Sequence, residues 1–237
     1  MRHFLSVLIA LCWCSSAAAN LYLRDNLQRA EAGDFIVTVQ NKTCTLLHIH
    51  HKEGNVLTIE EISLPITKAK QIIPAWHSWV QAEAPGHTSW MMYAINLNGS
   101  VERCFSFSKG RWLDPASTEN FLGTLLNLRL RLVPLPERKK VGNSSNRIWE
   151  PKLVVNGTIV PGVSFNAWKT RWPSDGSPLA SKTIEVYVPA ENTPYPSYFP
   201  YWLQISGMMG NAQLRIVDSG KGLTSPKPTL FQLQTQP

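Results

Sequence analysis

This chain is short of several things that usually declare a function. No internal apolar run approaches the ~20 residues that span a bilayer, so no transmembrane span is expected after the N-terminal segment. Cysteine is scarce: there are four, and Cys12 and Cys14 lie within the first nineteen residues. There is no His-Glu-x-x-His, no paired Cys-x-x-Cys and no Gly-x-Ser-x-Gly elbow. Glu60 and Glu61 alternate across a strand, so they do not face each other as an acid/base pair. No convergent catalytic set is visible, no cofactor is implied, and an enzyme is the minority expectation. Acidic residues are outnumbered 16 to 23 by lysine and arginine, giving a formal charge of +7. Such a balance suits anionic partners, including a membrane surface, or simple colloidal solubility. No nucleic-acid motif appears.

What is present begins with an export signal. Arg2 is a short basic region, Phe4 to Trp13 an apolar one, and Ala17-Ala18-Ala19 a small-residue cleavage site. Residues 1–19 are therefore expected to leave as a signal peptide, with a periplasmic or secreted destination. About 218 residues remain, enough for one large domain. In an oxidising compartment Cys44 and Cys104 are expected to form one disulfide.

Strand signals dominate the rest. Residues 34–40, 43–51 and 56–64 read as an antiparallel meander with short turns. Asn98-Gly99 and Asn156-Gly157 each supply the positive φ angles of a type I′ hairpin turn. Residues 71–82 and 165–172 read as short tryptophan-bearing helices, and 121–126 as a third with helical apolar spacing. Leu128 to Leu132 alternates as a strand. Three further strands close the chain, and residues after Gly220 read as a flexible tail. The expected class is β-rich α+β: an antiparallel sheet, open or partly closed into a barrel or sandwich, with two or three short helices. Residues 20–220 form one unit, or two similar halves (33–133 and 148–220) joined by a basic linker at 134–147.

Three clusters are candidate sites. Pro194, Pro196 and Pro200 exclude a helix and hold Tyr195, Tyr198, Phe199, Tyr201 and Trp202 on extended backbone, either as an aromatic binding surface or as a loop folded over a sheet edge. Arg129, Arg131, Arg138, Lys139 and Lys140 form a basic face suited to an anionic surface. His48 and His50 share a strand face and are weak metal candidates. The leading expectation is an exported, non-enzymatic binding or envelope-associated protein with a protein, envelope or apolar partner. The alternatives are a carrier holding an apolar ligand inside curved sheet, and a hydrolase or metalloenzyme using His48 and His50.

Overall fold

The computed structural model describes residues 19–115, 121–142, 146–190, 193–207 and 210–235. The expected signal peptide lies outside them except for Ala19. In chain order the elements are β1 (Asn20–Leu21), β2 (Phe35–Gln40), β3 (Thr43–Glu53), β4 (Val56–Pro65), α1 (Ile66–Ile72), α2 (Trp76–Gln81), β5 (Ser89–Asn96), β6 (Val101–Ser106) and β7 (Arg111–Leu113). Then follow α3 (Phe121–Asn127), β8 (Leu130–Leu132), β9 (Leu153–Val155), β10 (Thr158–Val160), β11 (Phe165–Arg171), β12 (Thr183–Pro189), β13 (Trp202–Gly207), β14 (Gly210–Gly220) and α4 (Leu230–Thr235). The fold is β-rich α+β, as the alternation in the sequence implied.

Twelve strands make one open antiparallel sheet in the order β1-β8-β11-β12-β13-β14-β2-β3-β4-β5-β6-β7. The last strand, β14, pairs with the early strand β2, Ile216 opposite Thr38. Strands on either side of residues 134–147 thus share one hydrogen-bonded sheet. Alternation then divides the strands between two faces. On β2 and β3, Phe35, Val37, Cys44 and Leu46 meet α2 through Trp76 and Trp79. Ile36 and Ile49 point the other way, into a larger core shared with α3 and the short 3-10 helix Leu23–Arg29.

Several expectations are corrected. The helix at 71–82 is two helices, because Pro74 has no amide donor and cannot sit inside a helical turn. The second tryptophan helix is strand β11, which pairs along its length with β12. Over so few residues apolar spacing does not separate helix from strand, and the ladder partner decides. Asn156-Gly157 is the expected type I′ turn, both residues having positive φ (47° and 75°). At the other hairpin only Gly99 is positive, and its amide bonds to Asn96 O (2.8 Å), so the loop is longer than two residues. Asp218, Ser219 and Gly220 form the last residues of β14, past a bulge between Ile216 and Asp218.

Cys44 and Cys104 are free and buried. They lie on β3 and β6, three strand spacings apart, which is roughly 14 Å at ~4.8 Å per strand. A disulfide needs Cα atoms within ~7 Å, so the sheet order forbids it. Burial pushes the two thiols up, to about 12 and about 11. Alkylation is expected to leave both untouched in the native protein and to modify both in denaturant, read by intact mass; a native mass short by two protons would contradict this.

One buried carboxylate ties the layers together. Asp218 is fully buried; its Oδ1 accepts from Ser219 N (2.9 Å) and Gly157 N (3.0 Å), and its Oδ2 from Trp76 Nε1 (2.8 Å). Replacement by alanine leaves the buried Ser219 amide and Trp76 indole without their acceptor, at ~1–3 kcal/mol each. Asp218→Ala is expected to cost upwards of ~2 kcal/mol in urea unfolding. Asp218→Asn is expected to cost less if its carbonyl oxygen keeps the two amide donors.

Candidate functional site

The aromatic run is not a surface. Tyr198, Phe199, Tyr201 and Trp202 are buried and Tyr195 is half-buried, all within the larger core. The prolines do hold the backbone extended, but they also remove amide donors that would need partners, which makes the loop easier to bury. Lys139 covers Trp202 from outside, its ammonium 4.0 Å from the ring centroid and 2.6 Å from Gln204 Oε1. Burial pulls the Lys139 ammonium below its ordinary value.

The basic face is divided for the same reason. Arg138 donates to Val133 O (3.2 Å) and Phe165 O (2.9 Å), so it and Lys139 fasten residues 134–142 to the sheet, and that stretch is no free linker. Arg129, Arg131 and Lys140 remain exposed.

His48 and His50 are adjacent, ring centroids 5.8 Å apart; three of their four ring nitrogens are engaged, and His50 Nδ1 is buried without a hydrogen-bond partner. His48 Nε2 lies 2.9 Å from Leu223 O and His50 Nε2 lies 3.1 Å from Lys227 O. A carbonyl only accepts, so each Nε2 carries hydrogen and has no lone pair for a metal. His48 Nδ1 lies 2.9 Å from Glu60 Oε2, while Glu60 Oε1 accepts from Trp90 Nε1 (2.8 Å) and Ser225 Oγ (2.6 Å). Ser225 thus bonds the carboxylate and not the imidazole, which is no nucleophile–base arrangement. Among the described residues no group of three or more histidine, cysteine or acidic side chains is placed to hold a metal.

What this cluster does is hold the C-terminal segment. Leu223 is buried against α2, Lys227 lies over the Trp90 ring (4.7 Å), and Leu230 of α4 is buried on β5. The expected flexible tail is therefore a docked strap as far as residue 235. Its anchors were not visible in sequence, because His48 and Leu223 are 175 positions apart. Burial works to raise the Glu60 carboxyl, but hydrogen bonds from His48, Ser225 and Trp90, with the His48 charge, outweigh it and hold the group below the usual carboxylate range. A depressed folded value means stability that is present at neutral pH and lost as pH falls through that value. Glu60→Gln is expected to melt lower than wild type at pH 7, with the two curves converging on acidification below about pH 4. Parallel curves down to that range would refute the coupling.

An open concave feature with an apolar floor lies elsewhere. A cleft of about 440 Å³ runs along β13 and β14. Leu203, Ile205, Ala212 and Leu214 form its floor, Phe121 and Thr124 of α3 one wall, and the 172–179 stretch the other. Alternation on two neighbouring antiparallel strands, Leu203 opposite Leu214 and Ile205 opposite Ala212, puts all four floor side chains on one face. Phe121 and Trp172 stack across the walls, ring centroids 5.5 Å apart and nearly parallel. Asp175 holds the second wall in shape: Trp172 Nε1 donates to Oδ2 (2.9 Å) and Ser177 N to Oδ1 (3.0 Å). Hydrogen bonds from the Ser177 hydroxyl and amide, with that from Trp172, hold the Asp175 carboxyl below its usual range. No local signal in the sequence announced the cleft.

A smaller pocket on the other side of α3 is lined by Leu122, Leu126, Tyr93, Tyr198 and Glu61 among others. Tyr93 donates to Glu61 Oε2 (3.1 Å), and burial raises the Glu61 carboxyl above its ordinary value.

Residues 45–161 match the family model described as CT021 protein. A solved structure of the hypothetical protein CT021 from Chlamydia trachomatis superposes with a TM-score of 0.65 at 20% identity, over 89% of this chain and 98% of that one. This likeness establishes the fold. No curated protein matches the chain.

Proposed function

We propose that this protein binds a small apolar ligand in the cleft between α3, the 172–179 stretch and the β13–β14 face. The observation that carries the reading is an apolar floor of four side chains at the base of a cleft of about 440 Å³, within the ~300–1,000 Å³ of typical small-molecule sites. An aromatic pair, Phe121 and Trp172, flanks it and offers flat contact area at little entropic cost. The occupant suited to it is a single small molecule with an apolar body. Two features beyond the cleft belong to the same proposal. Export rests on Arg2, the apolar stretch after it and the alanines at 17–19; cleavage after Ala19 leaves Asn20 as the first residue, at the start of β1. Arg129, Arg131 and Lys140 supply an exposed basic contact for an anionic surface.

Ligand entry is testable with phenylnaphthylamine, a neutral dye that brightens in apolar surroundings. Wild type is expected to enhance its emission saturably, and Trp172 to transfer energy to it. Ala212→Trp places an indole on the exposed cleft floor, and is expected to weaken dye binding at least ~10-fold with an unchanged melting temperature. Equal binding by the variant would move the dye site out of this cleft and remove the proposal.

A further inference from the structure

We infer that the ligand is uncharged at its polar end, a neutral amphiphile such as a long-chain alcohol or ester and not an acidic lipid; this rests on the cleft being the binding site proposed above. The argument is one of charge placement. The chain is basic overall, and a basic protein ordinarily suggests an anionic ligand. Yet neither lysine nor arginine lines the cleft among the described residues. Arg215 adjoins Leu214 in sequence, but strand alternation turns it to the opposite face, where it pairs with Trp202 and Val39. Outside the described residues the sequence holds a single further lysine or arginine, Arg2.

The polar groups that do line the cleft are of another kind. Gln40 and Thr124 are neutral and offer both donor and acceptor. Asp175 is the one ionisable side chain of the lining, and it is negative. Its carboxylate is already engaged by Trp172 and Ser177, so it stays ionised and repels a second anion. A carboxylate or phosphate entering here would give up its water for an apolar floor, with no cation to replace that water and one carboxylate against it. A hydroxyl or ester loses far less and can be met by a carboxamide or hydroxyl. The favourable long-range field of the whole protein does not repair this, because exposed charges beyond about one Debye length, roughly 8 Å at physiological salt, are screened.

The test is competition for bound phenylnaphthylamine by two chain-matched amphiphiles, dodecanol and dodecanoate, at about pH 8, where a free carboxyl is ionised. The full exported chain is used, below the solubility limit of dodecanol and the critical micelle concentration of dodecanoate. Dodecanol is expected to displace the dye at a concentration at least ~10-fold lower than dodecanoate. Displacement by dodecanoate at an equal or lower concentration overturns the inference while the binding site stands. Failure of the dye to bind at all, or its equal binding to Ala212→Trp, overturns the site itself and the inference with it. Gln40→Lys supplies the missing cation at an exposed position at the end of β2, and is expected to raise dodecanoate affinity about 10-fold while leaving dodecanol within about 2-fold. If dodecanoate gains nothing from that lysine, absence of a counter-charge is not what excludes it, and the inference falls.

Discussion

A fully buried carboxylate with three N–H donors is the fixed point of this molecule. Asp218 sits beyond the bulge in β14, and its partners come from three separate parts of the chain: its own strand, the turn between β9 and β10, and the indole of α2. The bulge is what turns the carboxylate toward them. The neighbouring residues carry the same junction further. Ser219 Oγ donates to Val154 O (2.7 Å) and accepts from the Tyr201 hydroxyl (3.3 Å). At Gly220 a Cβ would fall 2.5 Å from the Phe35 ring and 2.6 Å from Asn156 Oδ1. Only a residue without a side chain lets the hairpin and β2 approach β14 this closely. Asp218, Ser219 and Gly220 thus join sheet, hairpin and helix at one place, and the faces of β13 and β14 are set by that junction.

A second polar centre fastens the outside. His48 Nε2 donates to the Leu223 carbonyl while Nδ1 lies 2.9 Å from Glu60 Oε2, so the ring bridges the C-terminal segment to a buried carboxyl group. A fully buried polar bridge of this kind contributes little net stability compared with apolar groups of the same volume. Its effect is to specify where residues 223–230 lie, since moving them leaves polar groups buried without their bonds. The metal and hydrolase readings lose their footing here: the His48 nitrogens and both Glu60 oxygens are already committed, and no group of three or more ligands among the described residues gathers beside the uncommitted His50 Nδ1.

The sequence carried the periodic information and little of the long-range information. Alternation at 34–40, 43–51 and 56–64 gave three strands and their turns, and Asn156-Gly157 gave its turn type, because those signals are local. Which strand follows which was not legible: β14 beside β2 joins residues nearly 180 positions apart. The cysteine expectation failed on the same ground, since pairing depends on strand order and not on count or compartment. The aromatic loop failed differently. Proline fixes backbone shape but does not say which way the side chains face, and the missing amides make inward burial as feasible as exposure. Arg138 and Lys139 show that formal charge in sequence overstates charge available at the surface, because long stems and carbonyl partners absorb it.

The cleft follows from how the apolar surface is distributed. Tyr198, Phe199, Leu122 and Leu126 fill the space over β3, β4 and β5 until a pocket of only about 20 Å³ remains, room for about one water. Over β13 and β14 the covering pieces are instead α3 and the 172–179 stretch, held apart by the stacked rings of Phe121 and Trp172 and by the closed hydrogen-bond ring around Asp175. Both walls are therefore braced from within, and the space between them does not depend on a ligand to stay open. A site formed in advance loses less ordering entropy on binding, so modest apolar contact suffices for affinity. The fold is shared with the chlamydial structure, but a fold carries many functions, and the argument for this one rests on the braced walls and on the absence of a cation between them.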